Sequence, residues 1–231
     1  MNKLLQITTI SDSTNHSITS EKTLSILELI SSGGIGGNLV MGGLGILSLF
    51  AIYIVIERFL AIKKASFADD FFLKSIKTFI EAKNIEAAKT LCKNTDSPIS
   101  RMIEKGVNRI DKPITDISAA IENQGKLEVF KMEKNLANLA TISGAAPMIG
   151  FLGTVIGMIV AFHEMANAGG NIDVEILSTG IYTAMTTTVA GLVVGIIAYI
   201  AYNYLVSKVD KVVFMLEAKT TEFLDHLNHN E

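Results

Sequence analysis

Read from its amino terminus, the chain alternates long stretches without a single charge and stretches crowded with charges. Segments 33–56, 137–162 and 176–207 contain no Asp, Glu, Lys, Arg or His. At 1.5 Å rise per residue, about 20 helical residues cross the roughly 30 Å hydrocarbon core of a bilayer, and each segment is long enough. The pattern predicts an all-α membrane protein with three transmembrane helices, two of them extended into a cytoplasmic helical domain. Between the first two spans helical spacing continues in polar chain. Phe72, Ile76, Phe79, Ile80, Ala87 and Leu91 recur mostly at three- and four-residue steps, with a break at Asn84. Ser97 and Pro98 suit the cap and first position of another helix through Met102, Ile103, Val107 and Ile110, which Lys112-Pro113 ends. A run from Ile114 through Ile117, Ile121, Val129, Met132 and Leu136 enters the second span with no turn signal but Gly125. Val209, Val212, Leu216, Phe223 and Leu227 carry the third span onward. No alternating run bounded by turns supports a strand.

Charge placement suggests an orientation. Fifteen of the 20 Lys and Arg residues lie between Arg58 and Lys134, whereas His163 to Glu175 holds Glu164, Asp173 and Glu175 and no Lys or Arg. The positive-inside rule then assigns 57–136 to the cytoplasm, 163–175 to a loop outside it and 208–231 to a cytoplasmic extension of the third helix. Residues 1–32 form an extracytoplasmic tail. Within it Leu24, Ile26, Leu27 and Ile30 give one apolar side of a short amphipathic helix. The tail lacks the basic-then-apolar order of a cleaved signal and is expected to be retained. Overall composition agrees: 49% hydrophobic, 19% charged and a mean hydropathy of +0.40 exclude an ordinary soluble enzyme. A net charge of −3 argues against nucleic acid as a partner. One cysteine, Cys92, excludes a disulfide framework and a cysteine metal cluster.

The spans lack the groups a self-contained proton pump or intramembrane metalloenzyme needs, since a mid-bilayer charge costs roughly 2.5–3.5 kcal/mol and is kept only for use. They carry small and hydroxylated residues instead: Pro147, Gly150, Gly153, Thr154 and Gly157 in the second, and Thr179, Gly180, Thr183, Thr186, Thr187, Thr188, Gly191 and Gly195 in the third. Two readings stand side by side. Gly153 with Gly157, and Gly191 with Gly195, are GxxxG pairs for close helix packing, and each Thr can bond its own i−4 carbonyl. Alternatively Thr154 and the threonine face of the third span line a polar seam that receives another subunit's charge. Cys92 has no neighbouring His and reads as structural. His163 beside Glu164 reads as a solvated pair, and the carboxylates of 57–133, Asp69 and Asp70 among them, read as a solvated helix face. No phosphate-binding loop, HExxH or nucleophile elbow is present, and no catalytic residue, cofactor or metal site is expected.

The motif Ala146-Pro147-x-x-Gly150-x-x-Gly153-Thr154-Val155-x-Gly157-Met158 in the second span resembles the signature of the MotA/TolQ/ExbB proton channel family. Gly180-Ile181-x-x-Ala184-x-x-Thr187-Thr188-x-x-Gly191-Leu192 in the third matches its companion, and Glu57-Arg58 after the first span resembles the family's interfacial Glu-Arg pair. Three spans are closest to the ExbB branch, then TolQ, because MotA has four. The resemblance implies a homopentamer of the bacterial inner membrane around a dimer of an ExbD-like single-span protein. That partner supplies a proton-carrying Asp and drives a TonB-like energy transducer for outer-membrane transport. It also implies pore-facing roles for Thr154 and Thr188, with Thr183 and Thr187 beside them on the proton pathway. Many ExbB proteins carry Glu where this chain has Thr183. A TolQ-like role in envelope maintenance and division, and a purely structural membrane scaffold, are the alternatives.

Overall fold

The computed structural model describes residues 35–66, 70–167 and 174–229. The expected surface helix around Leu24 to Ile30, Asp69, and most of the acidic segment after Asn167 lie outside them. Among the described residues seven helices follow in chain order: α1 (Ile35–Ala65), α2 (Asp70–Glu81), α3 (Ile85–Asn94), α4 (Pro98–Val107), α5 (Ile114–Glu133), α6 (Leu136–Asn167) and α7 (Val174–His229). Among the described residues there is no strand. Three stretches of the described residues are long and apolar enough to cross a membrane, Gly36–Ala65, Ile114–Asn167 and Leu177–Asn228. At 56 residues, α7 runs about 84 Å, nearly three times a hydrocarbon core.

Local chemistry sets the helix ends in the charged half. Asn84 caps α3, its side chain accepting from the Ala87 amide at 3.1 Å after Lys83 turns the chain at φ 55°. Ser97 and Ser100 cap α4 reciprocally, with Pro98 inside the first turn. The helix stops at Val107, short of the expected Ile110. Three-residue turn bonds, Arg109 amide to Gly106 carbonyl and Lys112 amide to Arg109 carbonyl, both 2.9 Å, consume the intervening chain.

The expected continuous entry into the second span is interrupted. Helix α5 ends at Glu133, Lys134 stands at φ −49° and ψ 135°, and Asn135 has φ 66° before α6 begins at Leu136. Those angles match a type II turn, whose second central residue needs positive φ, a conformation Asn tolerates. Gly125, by contrast, stays helical; a methyl there would meet the Met102 Cε at 2.9 Å, so its smallness seats α4.

Helices α6 and α7 pair along their whole membrane length and α1 lies against both. In the charged half the buried stripe of α7, Leu205, Val209, Val212, Leu216 and Phe223, meets Ile76, Ile103 and Ile121 of α2, α4 and α5. One continuous helix thus joins the core of the apolar half to that of the charged half.

Candidate functional site

A ladder of small residues brings α6 and α7 into backbone contact. A methyl group at Gly191 would lie 2.5 Å from the Ala146 carbonyl oxygen and 2.9 Å from the Gly150 α-carbon. At Gly150 it would lie 2.7 Å from the Thr187 carbonyl oxygen. Gly195 faces the Pro147 ring, Gly153 faces Thr187, Gly157 faces Ala184 and Gly180 faces Ala161. The Pro147 ring thereby occupies the room left by a residue with no side chain.

This close approach sets up the hydroxyl chemistry. Thr154 and Thr188 bring their Oγ1 atoms to 2.9 Å across the seam, and Thr188 also reaches the Gly150 carbonyl at 3.2 Å. Thr154 Oγ1 lies 2.6 Å from the Phe151 carbonyl. Two protons and two backbone acceptors leave several arrangements, and each hydroxyl both donates and accepts. The pair can therefore donate to a carboxylate, or accept from a protonated carboxyl, by rotating its O–H bonds. Both residues are half-buried, on the flank of the seam away from α1.

The other candidate threonines are distributed differently. Thr187 is buried between the helices, its one proton shared between Ala184 O at 2.7 Å and Gly150 O at 3.2 Å. Thr183 bonds Thr179 O at 2.9 Å and turns its methyl toward Gly37 of α1. Five residues, or about 140° of helix turn, put it on the opposite flank from Thr188. Thr186 bonds back to Tyr182 O at 2.9 Å. The structure thus joins Thr154 to Thr188, with Thr187 behind them, and separates Thr183.

Glu57 and Arg58 form an ion pair at the foot of α1. Arg58, nearly fully buried, donates from Nη1 to the Lys131 carbonyl at 2.8 Å, and the Asn135 side-chain amide donates to Glu57 Oε2 at 3.3 Å. Carbonyls in the last turn of a helix lack intrahelical donors. Arg58 supplies one where α5 breaks, and Glu57 holds the left-handed residue that breaks it.

The carboxylates of 57–133 are not uniformly a solvated face, because Glu128 is 2% exposed. Arg101 grips it with two bonds, Nε to Oε1 at 3.0 Å and Nη2 to Oε2 at 2.7 Å; Gln124 and Lys131 each donate to Oε1 at 2.8 Å. Burial works against the Glu128 charge, yet the hydrogen bonds and positive charges of Arg101 and Lys131 outweigh it and hold the carboxyl below its usual range. Arg101 also pairs with Asp96 at 2.7 Å, and Asp96 with Lys64 at 2.6 Å, linking α1, α4 and α5. The signal was present: Glu128 shares the stripe of Ile117, Ile121, Gly125 and Met132. Cys92 is buried, and burial, aided by Glu104, pushes its thiol to about 12. His163 contacts Asn167 at 3.1 Å at the exposed end of α6. Among the described residues no three His, Cys, Asp or Glu side chains gather as metal ligands.

Residues 94–218, more than half of the chain and including the whole α6–α7 seam, match the model of the MotA/TolQ/ExbB proton channel family. The chain belongs to that family. It is 42% identical over 79 residues to the biopolymer transport protein ExbB of Helicobacter pylori, an alignment covering 34% of this chain and 54% of that protein. An ExbB homolog from Methanothermobacter thermautotrophicus is 32% identical over 121 residues, 52% of this chain and 42% of the relative. The ExbB of Aquifex aeolicus is 33% identical over 102 residues, 43% and 68% respectively. The chain thus spans about half the length of the first two relatives.

Proposed function

We propose that the chain is the ExbB-type subunit of an inner-membrane motor driven by the proton-motive force. Its ring, a homopentamer in the family's manner, encloses a dimer of an ExbD-like single-span protein and drives a TonB-like transducer for outer-membrane transport. One observation carries the reading: a cross-helix hydroxyl pair, Thr154 and Thr188, half-exposed on a bundle whose apolar segments hold no titratable group but the phenols of its tyrosines. Several ExbB-named relatives favour this branch over TolQ.

An ionised Asp on the partner's helix is costly to bury without donors, so it prefers the hydroxyl pair; once protonated it is indifferent to an apolar wall. Protonation from the periplasm and release to the cytoplasm then bias movement of the inner helices against the ring. Each charge crossing 100 mV releases about 2.3 kcal/mol, enough for a few protons to power a mechanical step. Thr187, buried behind the pair, donates to the same Gly150 carbonyl as Thr188. The orientation is periplasmic amino terminus, cytoplasmic 57–136 and 208–231.

The test is proton-driven uptake in cells, beside native mass spectrometry of the purified complex. Thr154→Ala with Thr188→Ala is expected to leave the assembly intact and abolish uptake. Full uptake by that double variant, or a stable assembly lacking any Asp-bearing single-span protein, would overturn the reading.

A further inference from the structure

Between α5 and the second half of α7 lies an open groove of about 570 Å³, beyond the apolar segments and so out of reach of lipid tails. Val129, Val213 and Leu224 contribute its apolar floor, and Phe130 at its edge is 72% exposed. The buried Thr220 hydroxyl, which also lines it, has no hydrogen-bond partner among the described residues. Its charge is lopsided. Lys126 and Glu122 neutralise each other at 2.8 Å, whereas Glu133 and Glu217 make no ion pair among the described residues and leave the rim acidic.

The groove's position on α7 narrows its occupant. Val213, Glu217 and Leu224 follow Thr188 by close to seven, eight and ten helical turns at 3.6 residues each. All three therefore sit on the same flank of the buried stripe as Thr188, the flank away from α1. A polypeptide running past the hydroxyl pair and leaving the membrane would meet this groove next. An apolar floor with an acidic rim suits a short amphipathic segment carrying Lys or Arg.

We infer that the groove docks a cationic amphipathic segment of the same partner whose membrane span passes Thr154 and Thr188, an inference resting on that reading of the pair. The docked segment anchors the partner's cytoplasmic end below the ring.

Photo-crosslinking in native membranes tests it, with benzoylphenylalanine placed at Ser118 or Thr221 in the groove, at Leu127, about two and a half turns from Ser118 and so on the other side of α5, as a control, and at Thr188 for the membrane site. Mass spectrometry of the adducts should show groove probes joined to a Lys/Arg-bearing segment adjoining the span of a single-span protein, and no such adduct from Leu127. Glu133→Lys with Glu217→Lys should reduce that adduct about tenfold while adducts at Thr188 persist, as expected of charge complementarity. Groove adducts to a second copy of this chain, to a soluble protein, or to nothing overturn the inference. If Thr188 probes still capture the partner, only the docking fails; if they capture none, the proposed function fails with it.

Discussion

At Gly191 and Gly150 two helix backbones touch, so the tolerance of each glycine follows from what a methyl would strike. At Gly191 it strikes the Ala146 carbonyl, which belongs to a helix and cannot swing away; at Gly144 nothing lies within 4 Å. Gly191→Ala is therefore expected to cost roughly 1–3 kcal/mol through overpacking. Gly144→Ala should be neutral or stabilising by up to about 1 kcal/mol, the helix-propensity gap between the two residues. Thermal unfolding of both variants in one detergent, followed by helical circular dichroism, separates them, and equal midpoints would contradict backbone contact at Gly191. The same scale governs the hydroxyls. Thr188→Ser keeps the O–H and should preserve most proton-driven uptake, whereas Thr188→Val keeps the shape, loses the O–H and should fail.

Among the elements, the break between α5 and α6 makes the most specific demand. Asn135 at φ 66° can be replaced by Gly without strain. A β-branched residue there costs roughly 1–3 kcal/mol or straightens the turn into one helix. Asn135→Gly, which gives up only the 3.3 Å bond to Glu57, should therefore lower the melting temperature less than Asn135→Val, which should lower it further or lengthen the distance between spin labels on α5 and α6. Arg58→Met, which leaves the Lys131 carbonyl without its donor, should destabilise the same joint by about 1–3 kcal/mol. The hydrophobic runs were legible because hydrocarbon solvent demands unbroken apolarity, and the break at Asn84 and the cap at Ser97 because they are local. The break between α5 and α6 was not. A single Asn in a helical pattern is a weak signal, and the groups that hold the joint are remote, with Glu57 78 positions from Asn135 and Arg58 73 positions from the Lys131 carbonyl. The division of the threonines was hidden likewise, since the flank Thr183 occupies depends on where α1 packs.

For the molecule as a whole, the two halves answer to different forces. Small residues in contact hold the membrane half, whereas the charged half turns on one buried carboxylate. Glu128 has a folded pKa below its ordinary 4.5, so its contribution is fully present above that value and is lost as pH falls through the folded pKa. Acid should loosen the charged half before the seam. Cys92 reports this directly. Buried and held near 12, its thiol is roughly one part in 10⁴ thiolate at pH 8, so alkylation requires opening of the bundle. Arg101→Met leaves Glu128 with only Lys131 and Gln124, should cost about 3 kcal/mol, and should raise the labelling rate of Cys92 at pH 8 by on the order of a hundredfold. The comparison is made in intact membranes, where partner retention can be read on the same sample. Faster labelling with the partner retained would show that the charged half opens independently of the seam, whereas an unchanged rate would mean that Glu128 is held without Arg101 and that the network is not what closes the bundle.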